Sequence, residues 1–354
     1  MAQIIILAIE IFIATMFVLN LAGVLTWAER RQSAFMQDRR GPSRANVFGI
    51  TLLGLMHPLA DGIKMMTKED FTPAGADKVV HALAPFMALF PAFIAFAVIP
   101  FADKLNIYGY EVDFLVSNVS IGLLFIFAVL GIAVYGVFLG GWASNNKWSL
   151  LGALRATAQM ISYEVTLGFT LVGILMVYQT IRIDQIVLAQ GDLLLGFIPK
   201  WGIVTQPLAF LLFFTAAMAE TKRTPFDLPE GESELVAGYF LEYSGMKFGM
   251  YFMGEFAELV IVAGVVTSLF LGGWQIPWIS TQDLLGWFPP LVVALIQIGV
   301  FTTKVVLLCW LQLAIRWTLP RFRYDQLMRL GWKMILPLSI ANIFVTGLVI
   351  LLLN

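Results

Sequence analysis

Eight apolar runs divide the chain, at residues 4–27, 81–101, 114–140, 154–178, 203–220, 248–272, 289–316 and 332–353. Most are long enough to cross a bilayer as a helix, which takes about 20 apolar residues. They cannot all be hidden in one water-facing fold. With 59% of residues hydrophobic and 13% charged, the apolar surface exceeds what a soluble chain of 354 residues could enclose. The runs are continuous and do not alternate, and lipid requires backbone groups to be bonded within their own segment, so they predict helices and not barrel strands. The expected fold is all-α: a polytopic membrane protein forming a single integral-membrane domain over residues 1–354. It has about eight transmembrane helices, surface amphipathic helices and a long charged loop. The fifth run is short, and Gly202 and Pro207 limit how early its helix can begin.

One cysteine, Cys309, and two histidines, His57 and His81, exclude a cysteine-ligated iron–sulfur cluster, a disulfide framework and a structural zinc site built from this chain alone. Any redox centre must belong to a partner. The first run holds Glu10 and lacks the basic leader and cleavage site of a signal peptide, so it is expected to remain as the first helix, ending at Glu29, Arg30 and Arg31. The polar loop that follows has apolar pieces interrupted by Gly54, Pro58 and Gly62. Residues 47–59 and 59–66 read as amphipathic segments lying on the membrane surface.

Charge orients the bundle. Of the 22 Lys and Arg, Lys304 lies inside a run, and only Lys104, Arg182 and Lys200 fall on the side opposite the long loops. The basic side is expected in the cytoplasm of a bacterial inner membrane, with both termini outside. The acidic residues crowd the same side, which a lipid-binding patch does not require. They are densest at residues 219–243, AETKRTPFDLPEGESELVAGYFLEY, where Glu220, Asp227, Glu230, Glu232, Glu234 and Glu242 stand with Lys222 and Arg223 between two apolar runs. Closely spaced carboxylates perturb one another's protonation, and a mixed-sign face suits a large soluble partner.

Ionisable residues inside the runs are costly and mark function or a specific pair. Glu164, Glu255, Glu258 and Lys304 are such residues. Glu255 and Glu258 are three apart and share a helix face, so with Glu164, Glu220 and Glu242 they could line a proton path. Structural pairing is the other reading, and for Lys304 satisfying a buried carboxylate is as good an account.

The strings WAERRQSAFMQDRRGP, PLADGIKMMTKE, ASNNKWSLLGALRATAQMISYEV, AETKRTPFDLPEGESELVAGYFLEYSGMKFGMYFMGEFAE and RWTLPRFRYDQLMRLGWK follow one another in the order found in the H subunit of NADH-quinone oxidoreductase, respiratory complex I, which the chain resembles over nearly its whole length. The resemblance implies a subunit that joins the membrane and peripheral arms and walls, with soluble partners, the chamber where quinone is reduced. It implies quinone (ubiquinone or menaquinone) as substrate, with FMN and iron–sulfur clusters held only by partner subunits. The implied partners are the peripheral-arm quinone-site subunits, including the one with the terminal cluster, together with small and antiporter-like membrane-arm subunits and the bilayer. No nucleic acid is expected.

Residue by residue, the resemblance gives Asp227, Glu230, Glu232 and Glu234 to the quinone chamber. It gives Glu164, Glu220 and Glu255, with Glu242 nearby, to an acidic path into the membrane arm, to which the depth of Glu258 and Lys304 adds those two residues. Glu29, Arg30, Arg39, Asp61, Glu69, Arg223, Arg316 and Arg321 fall to the borders of the quinone passage; docking at a subunit interface is the alternative for the arginines. The chain departs from the family at GPSRANVFGITLLGLMHP, where members often read GPNRVGPFGLLQP, so the segment is longer and His57 replaces glutamine. Three other classes fit parts of the pattern: the homologous membrane subunit of a hydrogenase or formate hydrogenlyase complex, an ion transporter, and a structural anchor. The intact PFDLPEGESELVAGYFLEYSGM and RFRYDQLM strings favour the quinone-reducing branch, and the absence of an inverted repeat speaks against a transporter.

Overall fold

The structure is a computed structural model that describes residues 2–46, 49–107, 110–194 and 196–353. Helices dominate it. In chain order they are α1 (Ala2–Met36), α2 (His57–Thr67), α3 (Lys78–Phe96), α4 (Gly122–Ala143), α5 (Lys147–Tyr178), α6 (Ile183–Ala189), α7 (Gly202–Thr205), α8 (Pro207–Glu220), α9 (Glu232–Leu235), α10 (Gly245–Phe270), α11 (Thr281–Trp287), α12 (Pro290–Thr318), α13 (Tyr324–Leu330) and α14 (Leu336–Leu353). A π-helical turn, Gly331–Ile335, fuses α13 to α14. Two short hairpins, Leu105–Ile107 with Tyr110–Val112 and Leu193–Leu194 with Ile198–Pro199, are the sheet structure among the described residues.

Seven helices are long and apolar enough to cross a membrane, and α8 is a shorter apolar helix of 14 residues. The protein is a multi-pass, all-α membrane protein. The apolar runs map onto these helices, but several ends move. α1 continues nine residues past 27, because Gln32, Ser33 and Ala34 are buried by neighbours and the helix end is set by packing as well as by hydropathy. The helix of the third run, α4, begins at Gly122 and not at 114. The stretch before it runs back along the end of α3, with Phe101 N donating to Phe114 O and Ser117 N to Ala97 O, each at 3.0 Å. α5 begins at Lys147, where Asn146 caps it by accepting from Trp148 N at 2.9 Å. Of the expected surface segments, 59–66 falls within α2, whereas residues 47 and 48 lie outside the described residues.

α10 is the centre of the bundle. In its most apolar stretch 78% of residues are buried, against 17% in α1. It packs on α3, α1 and α12, while α5 lies against α4, α8 and α14. A second, smaller core unites Ala84, Val137, Ala156 and Met160 with Tyr239, Tyr243 and Tyr251, so the charged stretch is anchored by aromatic side chains.

Candidate functional site

The segment between α8 and α10 leaves and re-enters the bundle on the same side, and its path is fixed from below by α5. Gln159 Nε2 donates to Ala219 O at 2.7 Å and to Phe226 O at 2.8 Å, and Ser149 Oγ donates to Tyr239 O at 2.9 Å. Gly152 and Gly238 meet so closely that a Cβ on Gly152 would lie 2.7 Å from Gly238 Cα. From the other side, Phe226 stacks on Phe322 at 5.4 Å and Phe322 N donates to Pro225 O at 2.9 Å, tying the loop to the chain after α12. A charged segment with little helix of its own is thereby tied to α5 and to the chain after α12.

On that frame the structure gathers a buried network. Glu29, on α1, accepts from Arg223 at 2.7 Å and from Arg316 of α12 at 2.5 Å. The Arg223 guanidinium also lies 3.8 Å from Glu255 of α10 and 3.8 Å from the centre of the Phe256 ring. Tyr239 Oη donates to the same Glu255 at 2.9 Å. Arg321 binds Asp227 at 2.8 Å. Burial pushes the Asp227 carboxyl up to about 6, against the pull of Arg321. Burial also pushes the Glu230 carboxyl well above the usual carboxylate range; Glu255 and Asp227 add to the push and Arg223 opposes it. Glu230, Asp227 and Glu255 are thus electrostatically linked.

Deeper in the bundle, Lys222 reaches Glu258 at 3.3 Å. Glu220 and Glu258 line one small cavity of about 20 Å³ with Met160, Leu130 and Val262. That is room for about one water molecule, the size needed to bridge two carboxylates. Glu164 stands on the outer side of α5, its Oε1 3.0 Å from where a Cβ on Gly131 of α4 would be, at the floor of a groove of about 450 Å³. Glu242 is held apart by Asn146 Nδ2 at 2.6 Å.

Other residues singled out in the sequence do not join this cluster. Lys304 donates to three carbonyls beyond the far end of α10, Leu271 O at 2.7 Å, Gly273 O at 2.9 Å and Gln275 O at 2.7 Å, and sits 4.5 Å from the Trp201 ring. It caps a helix end and meets no carboxylate among the described residues. Glu234 is exposed and pairs with Arg155 at 2.6 Å. Arg30 pairs with Asp61 at 2.6 Å, Arg39 bonds Gln37 and Ser33, and Glu69 is exposed. The Glu232 side chain lies outside the described residues.

Comparison with known proteins bears on what this network belongs to. The NADH dehydrogenase family profile matches residues 9–347. The chain is 49% identical over 335 residues to the NADH-quinone oxidoreductase H subunit numbered 1 in Geobacter metallireducens, covering 95% of this chain and 93% of that one. It is 48% identical to the H subunit numbered 2 in Geobacter sulfurreducens, over 94% and 93% of the two chains. It is 45% identical to the H subunit of Thermomicrobium roseum, over 96% and 94%. The chain belongs to the family of NADH-quinone oxidoreductase H subunits.

In this member of the H-subunit family, sequence reasoning missed the neutral residues that position the charges. Tyr239, Gln159 and Asn146 each fix a carboxylate or the loop that carries it. A signal was present for Gln159, a primary amide inside an apolar run, and for Tyr239, an aromatic with a polar tip beside six acids. Lys222 and Arg155 were visible as charges but not as the partners of Glu258 and Glu234.

Proposed function

We propose that this chain is the membrane subunit that walls the quinone passage of a proton-translocating NADH:quinone oxidoreductase and passes the electrostatic consequence of quinone reduction into the bilayer. Family membership supports the first part. The second part is supported chiefly by the continuous run of acids from loop to bundle interior: Asp227 and Glu230 in the loop, Glu255 beneath them on Arg223 and Tyr239, then Glu258 and Glu220 across a cavity of about 20 Å³, and Glu164 beyond.

The chemistry follows from charge. Reduction of a quinone to quinol takes two electrons and two protons. In this reading the electrons come from an iron–sulfur cluster of a peripheral-arm subunit, which receives them by way of FMN in another partner. Negative charge arriving beside the loop raises the proton affinity of its carboxylates, most strongly where the dielectric is low. Asp227, pushed up to about 6, is suited to exchange protons near neutral pH, and burial pushes the Glu230 carboxyl up as well. Arg223 carries the effect inward, because its one positive charge is shared between Glu29 and Glu255. Arg316 and Arg321 balance the acids at the chamber wall, and Arg30, Arg39, Asp61 and Glu69 stand further out along the passage. The basic side faces the cytoplasm of a bacterial inner membrane, with both termini outside.

The test uses the assembled enzyme in vesicles. Glu220→Gln and Glu255→Gln are each expected to lower proton translocation per NADH oxidised, Glu255→Gln also slowing quinone reduction through the lost charge beside Arg223. Wild-type quinone reduction and pumping in both variants would overturn the relay. Co-isolation of the chain with flavin and iron–sulfur subunits checks the partners independently.

A further inference from the structure

The loop after α1 forms a cavity of which the quinone reading uses only Arg30 and Arg39. Arg30, Arg39, Arg40, Ser43, Arg44 and His57 surround a cavity of about 520 Å³ in which no carboxylate takes part. Arg30 is neutralised by Asp61, but the partners of Arg39 are the uncharged Gln37 and Ser33. Among the described residues, Arg39, Arg40 and Arg44 have no ion pair. Asp38 lines the adjoining pocket with Arg39 and Arg40, so the cavity keeps a net excess of positive charge.

Its wall is built by close backbone approach. Gly54, at φ +91°, lies so near the Pro42 carbonyl that a Cβ would come within 2.0 Å of the oxygen. Trp27 Nε1 donates to Leu53 O at 3.1 Å, and His57 Nδ1 donates to Gly54 O at 3.0 Å. Gly41, Pro42, Ser43, Arg44 and His57, from the two ends of the longer segment, thus line the cavity.

Neighbouring residues set its depth. α2 begins at His57 and turns Leu59, Ile63 and Met66 outward, at 58%, 55% and 71% exposure and at the i, i+4, i+7 spacing of one helix face. Its opposite side packs on the bundle, with Met65 Sδ against Gly249 of α10. A helix with one face on the bundle and a bare apolar stripe on the other lies in the interfacial layer of the membrane. The adjoining arginines are then level with the lipid phosphates, and guanidinium forks match phosphate oxygens in geometry as well as charge.

We propose that this cavity binds the headgroup of an anionic phospholipid, with Arg40 and Arg44, and Arg39 beside them, on the phosphate and the acyl chains running along Leu59, Ile63 and Met66. The shared chemistry is a phosphate ester, and the apolar stripe selects a lipid over a soluble phosphate. The site stands apart from the acid network, shares Arg30 and Arg39 with the proposed border of the quinone passage, and does not depend on the proton path.

The complex containing this chain, purified in mild detergent, is equilibrated with mixed micelles of phosphatidylglycerol and phosphatidylcholine, and retained lipid is counted by native mass spectrometry. Wild type is expected to prefer phosphatidylglycerol, less so as salt rises. Each arginine removed by Arg40→Gln and Arg44→Gln weakens retention about fivefold, and the paired Lys variants keep most of it. No preference in the wild type, a preference indifferent to salt, or one unmoved by the double Gln variant overturns the proposal. So does displacement by inorganic phosphate or glycerol phosphate, which makes it a soluble-phosphate site. Loss of peripheral subunits from the Gln variant with lipid retention unchanged makes it a docking surface for an acidic protein, and also overturns it. The wild-type salt series carries the test even where the double variant fails to assemble.

Discussion

Arg223 is placed so that two acids from distant parts of the chain depend on it. Its side chain is 4% exposed and those of Glu29 and Glu255 are 12% and 6% exposed, so neither acid can turn to water if the guanidinium is lost. Arg223→Met is expected to destabilise the protein by about 3–5 kcal/mol, the range for breaking a buried pair by removing one partner. Thermal unfolding of the purified complex reads this, and an unchanged midpoint would mean that Arg316 alone compensates Glu29. Asp227 makes a second prediction, in pH. Its folded value, about 6, lies above the ordinary 3.8, so the native state binds more protons than the unfolded state between those values. The contribution is fully present below about 3.8 and is lost as pH rises through about 6. Asp227→Asn should flatten the decline in melting temperature over that window; a wild-type slope in the variant would refute the assignment. The charges themselves were legible in the sequence. Their pairing was not, because Glu29 and Arg223 are 194 residues apart and nothing local links them.

At the level of elements, the charged segment works because two glycines let it lie directly on α5. Gly152→Ala would drive a methyl group to within 2.7 Å of Gly238 Cα, which is backbone and cannot rotate away. A loss of about 1–3 kcal/mol is expected from such overpacking, with faster proteolysis between α8 and α10 as the local readout. Protection equal to wild type would show that the loop is held from elsewhere. At the far end of α10, Lys304 supplies a charged donor to three carbonyls. Lys304→Met is expected to lower stability by about 2–4 kcal/mol, since hydrogen bonds to charged groups contribute roughly 1.5–3 kcal/mol each and the carbonyls partly recover water. The ratio of protons moved to NADH oxidised should stay at the wild-type value; a drop in that ratio at full stability would return Lys304 to the proton path. Hydropathy located the helices because apolar length is what a membrane selects. It mislaid ends in both directions: α1 runs on past 27 because neighbours bury Gln32 and Ser33, and residues 114–121, apolar enough to read as helix, are non-helical chain bonded back to the end of α3.

Taken whole, the molecule separates into a buried axis and an open perimeter. α10 is enclosed by α1, α3 and α12, whereas α1 and α14 leave large apolar side chains such as Phe12, Phe344 and Leu351 uncovered for lipid or neighbouring subunits. Which perimeter faces meet protein is not written in the sequence, because lipid and a partner helix select the same side chains. The central position of α10 bears on how the protein is made. Its innermost helix is also a late one, emerging after some two hundred and forty residues have been synthesised, so the helices made before it must reach the membrane without their hub. When it arrives it brings two acids, Glu255 and Glu258, that would be costly alone in lipid. Arg223 and Lys222, the cations that meet them, are only a few dozen residues upstream and leave the ribosome first. The segment thus carries counter-charges for its two deep acids into the membrane, and α8, the loop and α10 can insert together as one hairpin around which the earlier helices close.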